Sequence, residues 1–114
     1  MSFPDSIEWM LLRGALRLLI LALLEDSIMQ GYQIVKNVET LLGKRPSLST
    51  VYTILSNLER DGLIKSLWKE ETKRYTITER GRRILKDIRR RSKDRILRII
   101  LRILKVENTN SYLT

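Results

Sequence analysis

The sequence contains neither cysteine nor histidine. These two absences exclude disulfide bonds, zinc sites built on thiolates or imidazoles, and nucleophiles activated by a histidine. Only five glycines occur, at positions 14, 31, 43, 62 and 81, and this spacing is too wide for a loop that cradles phosphates. We therefore expect no metal site and no cofactor, and an enzyme is the class of protein that this composition favours least.

Long hydrophobic runs are missing as well. The run Leu18–Leu24 contains seven residues, whereas a transmembrane helix needs about 20 apolar residues. Acidic residues stand on both sides of this run, at Asp5 and Glu8 before it and at Glu25 and Asp26 after it, which is unlike a signal peptide. The run is therefore interpreted as part of a buried helix in a cytoplasmic protein, with no insertion into a membrane.

The charge is large and unevenly distributed. The chain has 114 residues and a formal net charge of +9. Residues 1–64 carry six basic and seven acidic side chains, whereas residues 65–114 carry sixteen basic and six acidic ones. Such asymmetry indicates a polyanionic partner, either nucleic acid or an anionic membrane.

Hydrophobic periodicity and capping residues predict four helices and a β-hairpin. The predicted helices are Ser6–Leu24, Gly31–Leu42, a third that starts after a cap at Ser47 or Ser49 and runs to about Asp61, and a fourth that Thr78 caps and that runs to about Val106. The predicted strands are Leu63–Trp68 and Arg74–Ile77, with a hairpin tip at Lys69–Lys73.

Two helices joined by a tight turn and followed by a hairpin are typical of a winged helix-turn-helix, whose second helix lies in the major groove of DNA. The apolar side of the third helix is predicted to pack on the domain, and its other side carries small polar groups. Together with the cations of the turn and of the hairpin, these groups are the predicted contacts to double-stranded DNA: Lys44, Arg45, Ser49, Thr50, Tyr52, Thr53, Asn57, Lys69, Lys73 and Arg74.

Four stretches of the sequence resemble the PadR family of winged-helix transcriptional regulators. They are Gln30-Gly31-Tyr32 after the leucine-rich helix, Thr50-Val51-Tyr52, Leu58–Ile64 and Lys73–Gly81. The resemblance covers about residues 14 to 85 and implies a dimeric regulator, usually a repressor, with Tyr32, Thr50 and Tyr52 near DNA. This sequence departs from the family pattern at Gln30, where a histidine is usual, and at Thr53, where a proline is frequent.

The aromatic residues allow more than one interpretation. Tyr32 and Tyr52 either pack at the edge of the helix-turn-helix or place their hydroxyl groups on phosphates. Trp9 and Trp68 are expected in the core or in an interface rather than against a ligand. The family often binds flat aromatic or cationic compounds at its dimer interface, so the resemblance implies a small effector of that kind and makes Trp9 a candidate contact.

The last predicted helix combines a basic surface with an apolar seam of nearly heptad spacing. Two interpretations are open: a dimerisation helix, or a basic amphipathic helix that lies on an anionic membrane. We prefer dimerisation because the helix is fused to a complete winged helix. The predicted dimer contacts are Leu85, Ile88, Ile96, Ile99, Ile100, Ile103 and Leu104.

The sequence thus predicts a mainly α-helical protein with a small β-hairpin, an α+β fold. Residues 1–78 form the predicted DNA-binding winged helix-turn-helix, and residues 79–114 form the predicted C-terminal dimerisation helix and tail. The expected function is that of a sequence-specific transcriptional regulator that acts as a homodimer, with the third helix in the major groove and the wing on the DNA backbone. The resemblance to the PadR family implies that this regulator is a repressor. The alternative is a winged helix that acts as a protein-interaction module in a transcription or membrane-associated assembly.

Overall fold

The computed structural model describes residues 7–105, which form four helices and three strands. The elements in chain order are α1 Ile7–Asp26, β1 Met29–Gln30, α2 Gly31–Leu42, α3 Leu48–Arg60, β2 Ile64–Lys69, β3 Thr72–Ile77 and α4 Glu79–Leu104. The predicted α+β winged helix-turn-helix is confirmed, and α2 has the predicted bounds. The predicted start of α1 at Ser6 and the predicted end of α4 near Val106 lie outside the described residues.

The core lies where the apolar faces of α1, α2 and α3 meet the sheet. Each helix buries residues spaced three or four apart, as a helix with one apolar face must. The fully buried side chains are Leu16, Ile20, Leu21, Leu24, Ile34, Val35, Val38, Val51, Leu55 and Ile64. Ile54 also belongs to the buried face of α3, whereas Leu48, the first residue of the helix, lies beyond the core and is 51% exposed.

The sheet has three antiparallel strands in the order β1-β3-β2. Strand β1 was not predicted, because two residues are too short to show the period-two alternation that marks a strand. It pairs Met29 with Tyr75 and Gln30 with Arg74. The central strand β3 is therefore bonded on both sides, which holds the base of the hairpin against the domain.

The hairpin tip is shorter than predicted. Strand β2 continues through Lys69 and β3 begins at Thr72, so only Glu70 and Glu71 form the turn. Both have positive φ, at 53° and 62°, as the central residues of a type I′ turn require. The pair Glu-Glu carries none of the Asn-Gly signal of such turns, and the sequence therefore pointed to a longer loop. Lys69 and Lys73 lie on the paired strands rather than in the tip.

Replacing Glu70 and Glu71 with Asn and Gly is expected to stabilise the fold by about 1–2 kcal/mol, because a left-handed backbone is costly for glutamate and costs glycine nothing. Urea unfolding of the two proteins measures the difference. Replacing both residues with glutamine is the matched control, since it removes the charges and leaves the backbone cost in place. An equal gain in the control would assign the effect to charge repulsion.

A compact junction joins the end of α3 to the start of α4. Gly62 ends α3 with a φ of 76°, and the Leu63 N–H donates back to the Leu58 carbonyl at 2.9 Å. The Thr78 hydroxyl donates to the Gly62 carbonyl at 2.7 Å and accepts from the Gly81 N–H at 3.1 Å. Thr78 therefore caps α4, as predicted. A side chain at Gly81 would meet the Leu63 carbonyl oxygen, which explains the glycine there.

The chain divides into two compact units, Met1–Arg82 and Arg83–Thr114. The first contains the winged helix and the first turn of α4, and the described part of the second is the remainder of α4. Within this part Asp87 forms ion pairs with Arg90, at 3.6 Å, and with Arg91, at 3.1 Å. The predicted roles of residues 1–78 in DNA binding and of residues 79–114 in dimerisation are a separate matter and stay a prediction.

Candidate nucleic-acid interface

The N-terminal end of α3 is closed by a network of hydroxyl groups. Ser47 is the capping residue, and its Oγ accepts from the Thr50 N–H at 3.1 Å. The same hydroxyl donates to Thr50 Oγ1 at 2.7 Å and lies 3.3 Å from Ser49 Oγ. Capping satisfies a backbone donor of the first turn. Thr50 therefore supports the helix terminus as well as standing among the predicted DNA contacts.

The side of α3 that faces away from the core is polar and accessible. Ser49, Thr53 and Ser56 are exposed, and Asn57 is half-buried. None of these four side chains belongs to the buried core. Small hydroxyl and amide groups of this kind can donate to and accept from base edges in a major groove. The structure thus brings Ser49, Thr53 and Asn57 to one side of α3.

Tyr52 has a structural contact that the sequence did not reveal. Its ring lies over Gly31, the first residue of α2, so that a methyl group at position 31 would overlap the ring and its hydroxyl. The Gly-Tyr and Thr-x-Tyr motifs are therefore partners across the helix-turn-helix. Tyr52 nevertheless remains 43% exposed, so packing of the ring leaves part of the side chain accessible. Tyr32 is 54% exposed.

Substituting Gly31 with alanine is expected to destabilise the protein by about 1–3 kcal/mol, because the added methyl group must displace the Tyr52 ring. In a Tyr52→Ala background the same substitution is expected to cost much less. Denaturant unfolding of the two single variants and the double variant gives this coupling energy. Equal costs of Gly31→Ala in both backgrounds would contradict the proposed contact.

A carboxylate ties α3 to the hairpin. Glu59 Oε2 accepts from the Ser66 hydroxyl at 2.6 Å and from the Ser66 N–H at 3.2 Å. Hydrogen bonds to a charged acceptor are stronger than bonds between neutral groups. Glu59 belongs to the Leu-Glu-x-x-Gly-Leu-Ile stretch, and this contact gives its glutamate a structural role. The helix that carries the polar face and the strand that starts the wing are therefore held together.

The cations of the wing differ in their surroundings. Lys69 and Lys73 are exposed, and the Lys73 ammonium lies 5.5 Å from the centre of the Tyr75 ring, a cation–π distance. Burial raises the pKa of Tyr75 above the ordinary value of a tyrosine, so its phenol stays neutral at neutral pH. Arg74 is half-buried, and its Nε is buried without a hydrogen-bond partner among the described residues.

Trp68 does not lie in the core of the described chain. It is 70% exposed on β2, opposite Lys73. Of the two positions expected for Trp68, the core is therefore excluded, and a place in an interface stays a prediction. The alternation of a strand shows which face a residue takes but not whether another element covers that face, so the sequence left both positions open.

The turn between α2 and α3 presents cations at the surface. Lys44 and Arg45 are exposed, whereas Pro46 is buried between them and the cap at Ser47. The two cations therefore stand beside the N-terminal end of α3. That end carries backbone N–H groups and a partial positive charge, which favours a phosphate.

The residues predicted for the dimer interface differ in accessibility. Leu85 is 4% exposed and has little surface left for a second copy. Ile88 and Ile100 are half-buried. The largest accessible apolar surfaces of α4 are Ile96, Ile99, Ile103 and Leu104, between 42% and 60% exposed. Helix α1 carries a second exposed apolar stripe at Ile7, Met10, Leu11 and Leu18.

A helix-turn-helix with a polar outer face on its second helix, followed by a two-stranded wing, defines a winged helix-turn-helix protein. The chain belongs to the transcriptional regulator PadR-like family, whose family model matches residues 20–87. The resemblance seen in the sequence is thereby confirmed. No curated protein matches the sequence. Neither α1 nor any other helix within residues 7–105 has the length and hydropathy needed to cross a membrane.

Solved structures agree with this assignment. A PadR family transcriptional regulator from Eggerthella lenta is 28% identical with a TM-score of 0.71, over 91% of this chain and 93% of its own. A transcriptional regulator from Clostridium thermocellum is 27% identical with a TM-score of 0.70, over 88% and 96%. Bacillus subtilis PadR, solved in complex with operator DNA, is 31% identical with a TM-score of 0.56, over 64% of this chain and 45% of its own.

Proposed function

We propose that this transcriptional regulator acts as a homodimeric repressor that binds operator DNA with α3 in the major groove. The observation that carries this proposal is the outer face of α3, where Ser49, Thr53, Ser56 and Asn57 contribute nothing to the core and present only small polar groups. Such groups can specify bases, whereas contacts to phosphates position the protein. A protein bound in this way excludes others from the same stretch of DNA in the cytoplasm.

Phosphate contacts come from both ends of the motif in this proposal. Lys44 and Arg45 are exposed beside the start of α3, and Lys69 and Lys73 are exposed on the wing strands. The turn between these strands is acidic, because it consists of Glu70 and Glu71. Carboxylates repel phosphates. The wing is therefore expected to contact the backbone through its strands rather than to push its tip into a groove.

The relatives support DNA as the partner. Bacillus subtilis PadR was solved with operator DNA, and its likeness to this chain extends over 64% of the residues. The cationic turn, the cap of α3 and the wing all lie within residues 20–87, the part that matches the family. The same arrangement of elements is proposed to serve the same class of partner here.

A second copy of the chain is proposed to cover the exposed apolar stripes. Ile99 and Ile103 on α4 are 54% and 58% exposed, and Ile7 and Met10 on α1 are 85% and 70% exposed. Apolar patches of this kind on a single chain mark an interaction surface. A dimer also explains how two copies of α3 would reach successive turns of a major groove.

Selection of bound fragments from a random duplex pool, followed by affinity measurements on the selected and a scrambled sequence, tests this function. Thr53→Ala and Asn57→Ala are expected to lower affinity for the selected sequence about tenfold and to leave affinity for the scrambled sequence nearly unchanged, because a base contact is worth about 1–3 kcal/mol. Thr40→Ala, an exposed threonine on α2, is the matched control.

Two outcomes would count against the proposal. One is a pool from which no preferred sequence emerges. The other is an unchanged ratio of specific to non-specific affinity in both α3 variants, which would mean that α3 does not read the bases.

A further inference from the structure

Helix α4 carries a line of four arginines along one side. Arg91, Arg95, Arg98 and Arg102 follow one another at intervals of four, three and four residues. Residues three and four apart are neighbours on the surface of a helix, so the four side chains form one stripe, here called the arginine stripe. At a rise of about 1.5 Å per residue, the stripe is roughly 16 Å long. It lies entirely within the unit Arg83–Thr114.

The positive charge of the arginine stripe is accessible and only partly neutralised. All four side chains are exposed. Among residues 7–105, one member of the stripe forms an ion pair: Arg91 lies 3.1 Å from Asp87, and its side chain remains 69% exposed. Arg98 donates from Nε to the backbone carbonyl of Asp94 at 3.4 Å. Residues 83–105 together carry ten basic and two acidic side chains, so a surplus of positive charge remains on this part of α4.

The arrangement is unfavourable for the helix by itself. Like charges three or four residues apart destabilise a helix, and three such pairs follow one another along the arginine stripe. A helix surface that only faces water is typically laced with charges of both signs at this spacing. A local arrangement that works against the helix is expected where a function requires it. An anionic partner that relieves the repulsion therefore explains the stripe better than hydration does.

The chemistry of the stripe fits a chain of phosphates. The planar guanidinium group presents paired N–H donors that match the oxygens of a phosphate. A DNA duplex carries one negative charge about every 1.7 Å along its axis, so a stripe of this length faces several phosphates at once. A helix that lies on a membrane is anchored by bulky apolar residues, often aromatic ones, and Glu79–Leu104 contains no aromatic residue. Since the family consists of transcriptional regulators, duplex DNA is the polyanion that suits the stripe.

We infer that the arginine stripe binds a second segment of duplex DNA while α3 holds the operator, so that the protein bridges two segments. Arginines that contact phosphates position a protein and do not specify a sequence, so the second segment can have any sequence. The proposed operator contacts lie within Met1–Arg82 and the stripe within Arg83–Thr114. Because the two sets share no residue, one does not use up the groups of the other. The bridging rests on the function proposed above, whereas the binding of DNA to the stripe does not.

Energy transfer between two labelled duplexes tests the bridge. The selected operator carries a donor, and a scrambled duplex of the same length carries an acceptor. The intact protein is expected to bring donor and acceptor together at about 50 mM salt and to release the scrambled duplex as the salt rises, because every neutralised phosphate makes binding more sensitive to salt. The variant Arg95→Gln with Arg98→Gln is expected to bind the second duplex at least about tenfold more weakly, with unchanged affinity for the operator.

The matched control is Arg83→Gln with Lys86→Gln. These residues are exposed on α4 and their replacement removes the same charge, but they point about a third of a turn away from the stripe. The control is expected to bind the second duplex as tightly as the intact protein. All four residues lie outside the core, so both double variants are expected to fold. Sedimentation velocity without DNA is expected to show the same assembly for the intact protein and for both variants.

Several outcomes overturn the inference. They are an absence of energy transfer with the intact protein, equal losses in the two double variants, and a change of assembly in the stripe variant alone, which would make the stripe an interface between copies. Operator affinity that depends on the stripe once the operator is lengthened would place the stripe on the same segment. Stripe-dependent binding to vesicles with anionic lipids, without a second duplex, would make a membrane the partner. A protein that selects no operator overturns the proposed function, while the affinities of the two variants for the scrambled duplex still decide whether the stripe binds DNA.

Discussion

Replacing Ile99 and Ile103 with glutamate is expected to convert the proposed dimer to a monomer at micromolar concentration. Both side chains are more than half exposed in the single chain, so their replacement costs the fold of one copy little. In a dimer the two positions occur twice, and each isoleucine contributes roughly 1 kcal/mol if half of its surface is newly buried. The dissociation constant of the dimer should therefore rise at least about hundredfold, and burying the new carboxylates raises it further.

Sedimentation equilibrium of the intact protein and the variant measures this change. The matched control is Arg98→Gln with Arg102→Gln, which lowers the net charge of α4 by the same amount as the two glutamates. This control is expected to keep the dimer or to tighten it, because like-charged arginines beside the seam repel each other. Operator affinity of the glutamate variant is expected to fall with the dimer, since two half-sites are no longer held by one molecule. An intact protein that sediments as a folded monomer at tens of micromolar contradicts the prediction.

Operator affinity is expected to fall about ten-thousandfold between about 50 mM and about 200 mM salt. Lys44, Arg45, Lys69 and Lys73 supply four phosphate contacts in each copy of the proposed complex, and a dimer doubles them. Each neutralised phosphate adds about −0.9 to the slope of log K against log salt. Fluorescence anisotropy of a labelled operator over a salt series gives this slope.

Single substitutions then show which residues contribute to the slope of log K against log salt. Lys44→Gln is expected to make the slope shallower by about 2, one contact in each copy. Lys86→Gln removes an exposed lysine from α4 and is expected to leave the slope unchanged. An affinity that does not vary with salt, or equal effects of the two variants on the slope, would contradict the prediction that the turn between α2 and α3 contacts phosphates.

The helices and their order were predictable because their signals are local. Gly43 and Gly62 end α2 and α3 in the left-handed conformation, with φ of 73° and 76°, and helix-spaced apolar residues mark each buried face. The capping roles of Ser47 and Thr78 follow from the same short-range chemistry. Each of these signals depends on a few residues that are close together in the chain, so a single sequence is enough to recognise it.

The remaining features depend on residues that are far apart in the chain. The contact of Tyr52 with Gly31, the link from Glu59 to Ser66 and the pairing of β1 with β3 all join different elements. Nothing in the spacing of the sequence encodes which side chain another element meets. A cavity that Trp9 lines is the extreme case, since α1, the turn between α2 and α3 and the start of α3 build it together. The polar face of α3 could be predicted, because all of its residues belong to one helix and the helical period alone places them on one side.

The core-facing and the exposed positions of α3 are separate, so the exposed positions can be substituted without changing the core. Val51, Ile54, Leu55 and Leu58 hold the helix in the core, and Tyr52 closes the surface over Gly31. The core includes none of the four polar side chains on the outer face, Ser49, Thr53, Ser56 and Asn57. A combinatorial library at these four codons would therefore explore new target sequences on an unchanged scaffold, and selection from it would retarget the protein without rebuilding its fold.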